Sequence, residues 1–141
     1  MNQENNIEEK VKILIVEDER IIAEDLKISL ENENYEVIGI IDSGEKAIEY
    51  VKENELPSII MMDINLNGKL NGIETVNIIN KKYENIICIY CSSYCDIETL
   101  DKAKLSSARG YLTKPIWNDE LKKVIKLVLS NDTEKYYPES I

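Results

Sequence analysis

The stretch SIIMMD, Ser58 to Asp63, decides the fold. Leu56-Pro57 stops whatever helix precedes it, an apolar run follows over Ser58 to Met62, and an acid, Asp63, ends the run. That pattern is a strand buried on both faces whose carboxyl end opens on a charge. The same form recurs to either side. KILIV, Lys12 to Val16, ends in Glu17-Asp18-Glu19; YEVIGII spans Tyr35 to Ile41; IICIYC, Ile86 to Cys91, runs into Ser92; and Ala108 to Thr113 runs into Lys114.

The segments between these strands carry apolar residues at helical spacing. Arg20 to Asn32 places Ile21, Ile22, Ala23, Leu26, Ile28 and Leu30 among charges, close to a 3.6 period. Asp42 or Ser43 caps a second helix that carries Ala47, Ile48 and Val51 and runs to about Asn54. The Asn- and Gly-dense NLNGKLNG, Asn65 to Gly72, is a loop before a helix over Ile73 to Lys82. Asp96 to Leu105 and Asn118 to Leu129 form the last two helices, the latter with Leu121, Val124, Ile125, Val128 and Leu129.

Five βα units in succession imply an α/β fold, a doubly wound five-stranded parallel sheet with helices on both faces. Residues 1–10 read as a polar leader, 11–130 as the single domain, and 131–141 as a polar, frayed tail. A chain of 141 residues, 43% of them hydrophobic, suffices for one core, and neither repeat nor interdomain linker suggests a second domain.

Charge narrows the function. A net charge of −10 argues against direct binding to nucleic acid or to an anionic membrane, both of which need a basic patch. No run reaches the roughly 20 apolar residues of a spanning helix. The Met1 to Lys10 segment is too acidic for a signal peptide, so a cytoplasmic location is expected. Cys88, Cys91 and Cys95 are odd in number and crowded together, which disfavours a disulfide framework. Zinc wants four ligands and the chain has no histidine, so the cysteines read as buried, reduced thiols. The same absence removes every Ser/His or Cys/His catalytic pair.

In a doubly wound sheet the ligand site lies beyond the carboxyl ends of the strands, where Glu17, Asp18, Asp63, Ser92 and Lys114 all fall. Acids after strands are also common as helix caps and solvated loop residues. Their joint occurrence at strand ends, with a hydroxyl and a lysine at other strand ends, makes a more specific set. Carboxylates gathered at one mouth repel unless a cation joins them, and an all-oxygen set without histidine suits Mg²⁺. A metal and a lysine flanking a carboxylate prepare a site for a phosphoryl group.

At these residues the chain resembles the response-regulator receiver family of two-component signal transduction, over about Val11 to Leu129. The resemblance is carried by ILIVEDE (Ile13 to Glu19), MDINLNGKLNGIE (Met62 to Glu74) and CSSYCDIETLDKAKLSSARGYLTKP (Cys91 to Pro115). It implies that Asp63 is the phosphoacceptor, that Glu17, Asp18 and Asp63 hold Mg²⁺ with the Asn65 carbonyl, and that Ser92 and Lys114 contact the phosphoryl group. It also implies a cis peptide before Pro115. Tyr111 matches the family's switch aromatic, which swings inward; the plainer alternative is an amphipathic tyrosine on an edge strand. Tyr94 matches a position that modulates dephosphorylation, or is a surface tyrosine capping a loop.

Two departures stand out. Asn67 replaces a frequent proline in a loop one residue longer than usual, and Trp117 stands where a small capping residue is common, leaving Asn118 or Asp119 to cap the last helix and the indole either exposed or packed. By the resemblance, the partners are a histidine kinase or phosphotransfer protein and a downstream protein that reads the surface of the fourth helix, fifth strand and fifth helix, with a homodimer as a further option. No catalysis is expected beyond the chain's own phosphorylation and dephosphorylation. The whole is either a stand-alone receiver or a fragment of a longer regulator or hybrid sensor kinase. Two other readings are a docking module independent of phosphorylation and an enzyme on a similar fold. A flavin phosphate would be repelled by Glu17-Asp18-Glu19-Arg20.

Overall fold

The computed structural model describes residues 9–93, 96–130 and 134–138. In chain order the elements are β1 (Lys12–Val16), α1 (Arg20–Asn32), β2 (Glu36–Ile41), α2 (Gly44–Glu53), β3 (Ile59–Asp63), α3 (Gly72–Lys82), β4 (Ile87–Ser92), α4 (Ile97–Leu105), β5 (Gly110–Thr113) and α5 (Asn118–Ser130). The strands form one sheet in the order β2-β1-β3-β4-β5, every neighbouring pair parallel. Because the chain winds outward from β1 in both directions, the switch point lies between β1 and β3.

Alternation along the strands sorts the core into two layers. Ile13, Ile15, Ile59, Met61, Ile89, Cys91 and Leu112 face α1 and α5. Leu14, Val16, Ile60, Met62, Cys88, Tyr90 and Tyr111 face α2, α3 and α4. The central strands are buried on both sides, so their near-continuous apolar sequences follow from the topology, each fully buried Ile or Leu contributing about 1.5–3 kcal/mol.

Local chemistry sets the ends. Ser43, not Asp42, caps α2, its Oγ accepting the Lys46 N–H at 3.2 Å. Asn71 and Glu74 form a reciprocal capping box at α3, both bonds 2.9 Å long. At α5 neither Asn118 nor Asp119 is the cap. The Trp117 carbonyl accepts the first helical bond from Leu121 N–H at 2.9 Å, which puts both residues inside the first turn. There Asp119 and Glu120 complement the helix dipole.

The expectation of a frayed tail fails over residues 134–138. Tyr136 makes a parallel bridge to Gly110, and the adjoining Tyr137 bonds the Ala103 carbonyl of α4 and packs on the Tyr111 ring of β5. Its physical reason is a pair of adjacent tyrosines that find apolar slots on either side of β5. Cys88 and Cys91 are buried thiols, and burial pushes both up, Cys88 to about 12, so they pack as small apolar groups. Cys95 and Tyr94 lie outside the described residues. Among the described residues, no helix is long and apolar enough to cross a membrane.

Candidate functional site

Strand ends bring the site together. β1 delivers Glu17 and Asp18, β3 ends on Asp63, β4 ends on Ser92, and Lys114 follows β5. Asp63 and Glu17 flank the switch point and are only 5% and 4% exposed, so two carboxylates sit at the edge of the core. Carboxylate oxygens of Glu17, Asp18 and Asp63 lie within 4.8 Å of one another. Asp18 is half-buried, whereas the Asn65 side chain is exposed.

Lys114 answers this concentration of charge. Its Nζ donates to Glu17 Oε1 at 2.5 Å and stands 3.5 Å from Asp63 Oδ1. Its backbone N–H donates to the Ser92 carbonyl at 2.8 Å, and the Lys114–Pro115 peptide is cis, as the resemblance implied. Burial works against the ammonium, but the Glu17 hydrogen bond and the Asp63 and Glu17 charges together outweigh it and hold its pKa above the ordinary value. Asp63 is pushed up to about 7, first by burial and then by the Glu17 charge, against the opposing pull of Lys114 and of the Asn65 N–H. One lysine therefore leaves the three carboxylates undercompensated.

The donor chemistry fits a hard divalent cation. All the groups are oxygen donors, two are buried acids, and the carboxyl with the raised pKa lies among them. Ser92 is fully buried at the end of β4, where its backbone pairs with Thr113. Tyr111 lies on the edge strand β5 and is buried, 1% exposed, with its ring 6.1 Å from that of Tyr90 in an edge arrangement. Trp117 is exposed.

The loop from Asn65 to Asn71 has supports that sequence reasoning did not find. Asn65 N–H donates to Asp63 Oδ1 and Asn67 N–H to Asp18 Oδ2, both at 3.3 Å. From α2, the Glu45 carboxylate accepts Lys69 N–H at 3.2 Å and Leu70 N–H at 3.3 Å. These bonds hold Glu45 below the usual carboxylate range. Gly68 adopts φ +108°, a conformation that favours glycine, and passes directly over this carboxylate. The closing Gly72 is packed so tightly that a Cβ there would stand 2.1 Å from the Asp63 carbonyl oxygen. No local signal marks Glu45, an exposed acid in a helix first turn.

A groove of about 430 Å³ opens beside Lys114, between α1 and the start of α5, lined by Ile22, Leu26, Cys91, Pro115, Ile116 and Leu121 among others. Ile21 on α1 and Trp117, the residue before α5, add exposed apolar surface, at 78% and 68%.

Comparison with known proteins matches this architecture. The family described as Response regulator receiver domain matches residues 13–126. The chain is 32% identical over 129 residues to the transcriptional regulatory protein DegU of Brevibacillus brevis, covering 91% of this chain and 53% of that protein. It is 31% identical over 124 residues to the transcriptional regulatory protein PdtaR of Mycobacterium tuberculosis, covering 87% and 58%. The chain thus spans somewhat more than half the length of these curated relatives. Among solved structures it is similar to the signal receiver domain of a modulated diguanylate cyclase from Desulfovibrio desulfuricans G20, with 36% identity and a TM-score of 0.79 over 86% of this chain and 95% of that one. It is also similar to a CheY-like receiver domain protein from Methanospirillum hungatei JF-1, at 27% identity and a TM-score of 0.78, over 86% and 95%. A doubly wound sheet with acids, hydroxyl and lysine at its strand ends, and a family match over most of its length, make this chain a member of the response-regulator receiver family.

Proposed function

We propose that Asp63 accepts a phosphoryl group from the phosphohistidine of a partner kinase or phosphotransfer protein, or from a small acyl phosphate, and that Glu17, Asp18, Asp63 and the Asn65 carbonyl hold Mg²⁺ for the reaction. The observation that carries this reading is the buried carboxylate cluster with a single lysine reaching two of its members. Bound Mg²⁺ supplies positive charge that neutralises the transferring oxygens.

The rest is done by the chain's own groups. Asp63 carboxylate oxygen attacks phosphorus, the phosphorus–nitrogen bond of the donor breaks, and the imidazole leaves with the bonding electron pair. Lys114 turns its ammonium from Glu17 toward the new dianion, and Ser92 donates its hydroxyl to a phosphoryl oxygen. Hydrolysis reverses the bond at Asp63: water attacks phosphorus and the carboxylate leaves. Ile21, Trp117 and the apolar groove near Lys114 support docking of the phosphodonor on that side of the site. Tyr111, buried on the face shared with Tyr90, would carry the change onward as the switch aromatic.

Incubation with acetyl phosphate and Mg²⁺ tests the assignment by intact mass. One phosphoryl adduct that is base-labile and absent from Asp63→Asn is expected. An adduct that survives that substitution, or no adduct with Mg²⁺ in excess, would overturn it.

A further inference from the structure

Residues 134–138 lie along the outer edge of β5 and add a bridge to it. Tyr136 accepts the Tyr111 N–H at 2.8 Å and donates its own N–H to the Arg109 carbonyl at 2.8 Å. Its side chain falls on the α5 side, where its hydroxyl donates to Glu120 at 2.8 Å and the Lys123 ammonium lies 5.9 Å from the ring centre. Tyr137 falls on the α4 side. Its hydroxyl lies 2.9 Å from the Ala103 carbonyl and 2.8 Å from that of Ala108, and its ring is 6.1 Å from Tyr111. Arg109 secures the connection by donating to Glu134 and Val128 carbonyls at 3.2 and 3.0 Å.

We propose that the edge of β5 between α4 and α5 is a strand-accepting groove, that residues 134–138 are its resident occupant, and that phosphorylation of Asp63 releases them. This rests on Asp63 as the phosphoacceptor. Two connections join the site to the strap. Tyr111 is packed between Tyr90 and Tyr137, its ring 6.1 Å from each, and its N–H is half of the strap's ladder. β5 is only four residues long, and Lys114 follows it directly. A phosphoryl group brings about two negative charges and draws Lys114 off Glu17. Displacement of β5 at that end, or of the Tyr111 ring toward Ser92, takes from Tyr137 the surface it packs on.

Release would present Tyr111 N–H, the Arg109 carbonyl and two tyrosine-sized slots, a site for an extended aromatic segment. By reciprocity, whatever weakens the strap must favour the phosphorylated form.

Hydrogen exchange of the full chain, with and without beryllofluoride and Mg²⁺, tests this, with occupancy of Asp63 followed separately by the bound-fluoride resonance. At full occupancy the Tyr136 and Tyr111 amides should exchange at least tenfold faster while β1 and β3 amides hold. Tyr137→Ala should exchange fast without the analogue and bind it severalfold more tightly, with Tyr137→Phe between the two. Unchanged or slower Tyr136 exchange at confirmed occupancy overturns the coupling and leaves Asp63 as phosphoacceptor intact. Failure to reach occupancy overturns both. Wild-type analogue affinity in Tyr137→Ala overturns the reciprocity and with it the release.

Discussion

Replacing Asp63 by Asn should stabilise the metal-free protein, and by an amount that grows with pH. Asp63 is pushed from 3.8 to about 7, with burial the first cause. Below the lower value both folded and unfolded chains are protonated at this site, and the carboxyl costs the fold nothing. Between the two values the unfolded chain has released the proton while the folded one retains it, so stability falls as pH rises. Above about 7 the loss is complete. At ~1.4 kcal/mol per pKa unit the full shift corresponds to roughly 4 kcal/mol, and side-chain relaxation and water entry reduce what is measured to about 2–4. Asn keeps an oxygen for the Asn65 N–H but has no charge to desolvate. Urea unfolding in the presence of a chelator should therefore give Asp63→Asn an advantage of roughly 1 kcal/mol near pH 5, widening to its full value near pH 8. Mg²⁺ should narrow the gap by stabilising the wild type alone. An advantage that is flat across that range, or a variant less stable than wild type at high pH, would refute the argument that burial and like charge govern this carboxyl.

Three other substitutions probe the site's supports. Lys114→Met leaves Glu17 and Asp63 buried without their shared cation, so without divalent metal it should lose about 3 kcal/mol by denaturant unfolding, much of it restored by Mg²⁺. Glu45→Ala frees two loop amides, so Lys69 and Leu70 should exchange faster and Mg²⁺ affinity should fall severalfold, with the melting temperature little changed; unaltered affinity would count against the clamp. Gly72→Ala sets a methyl against the Asp63 carbonyl and should cost ~3 kcal/mol together with weakened Mg²⁺ binding, read by calorimetric titration.

What was legible in the sequence was whatever the sheet imposes on it locally. Strands buried on both faces must be apolar over most of their length, so residues 13–16 and 59–62 declare themselves, and the acid that follows each run marks the open end. The site followed because its groups sit at the ends of strands that topology makes neighbours. The exposed acid Glu45 reaches Lys69 and Leu70 across the gap between α2 and the next loop, and nothing in either segment's periodicity encodes that meeting. Tyr136 and Tyr137 lie in a polar stretch and make one bridge, too short to leave an alternating pattern. At Trp117 the misread cap has a different cause: the main-chain carbonyl alone accepts the first helical bond, and no side-chain preference announces it.

The bridge at Tyr136 also bears on how the molecule tolerates crowding. An edge strand with free backbone groups is a template for pairing with another chain, and β5 carries tyrosine and leucine at that edge. The returning segment occupies the Tyr111 N–H and the Arg109 carbonyl, and Pro138, which lacks an N–H, limits further growth of the ladder two residues on. Displacing that segment would turn a covered edge into an adhesive one, so self-association that rises with protein concentration is the expected companion of any variant that loosens it.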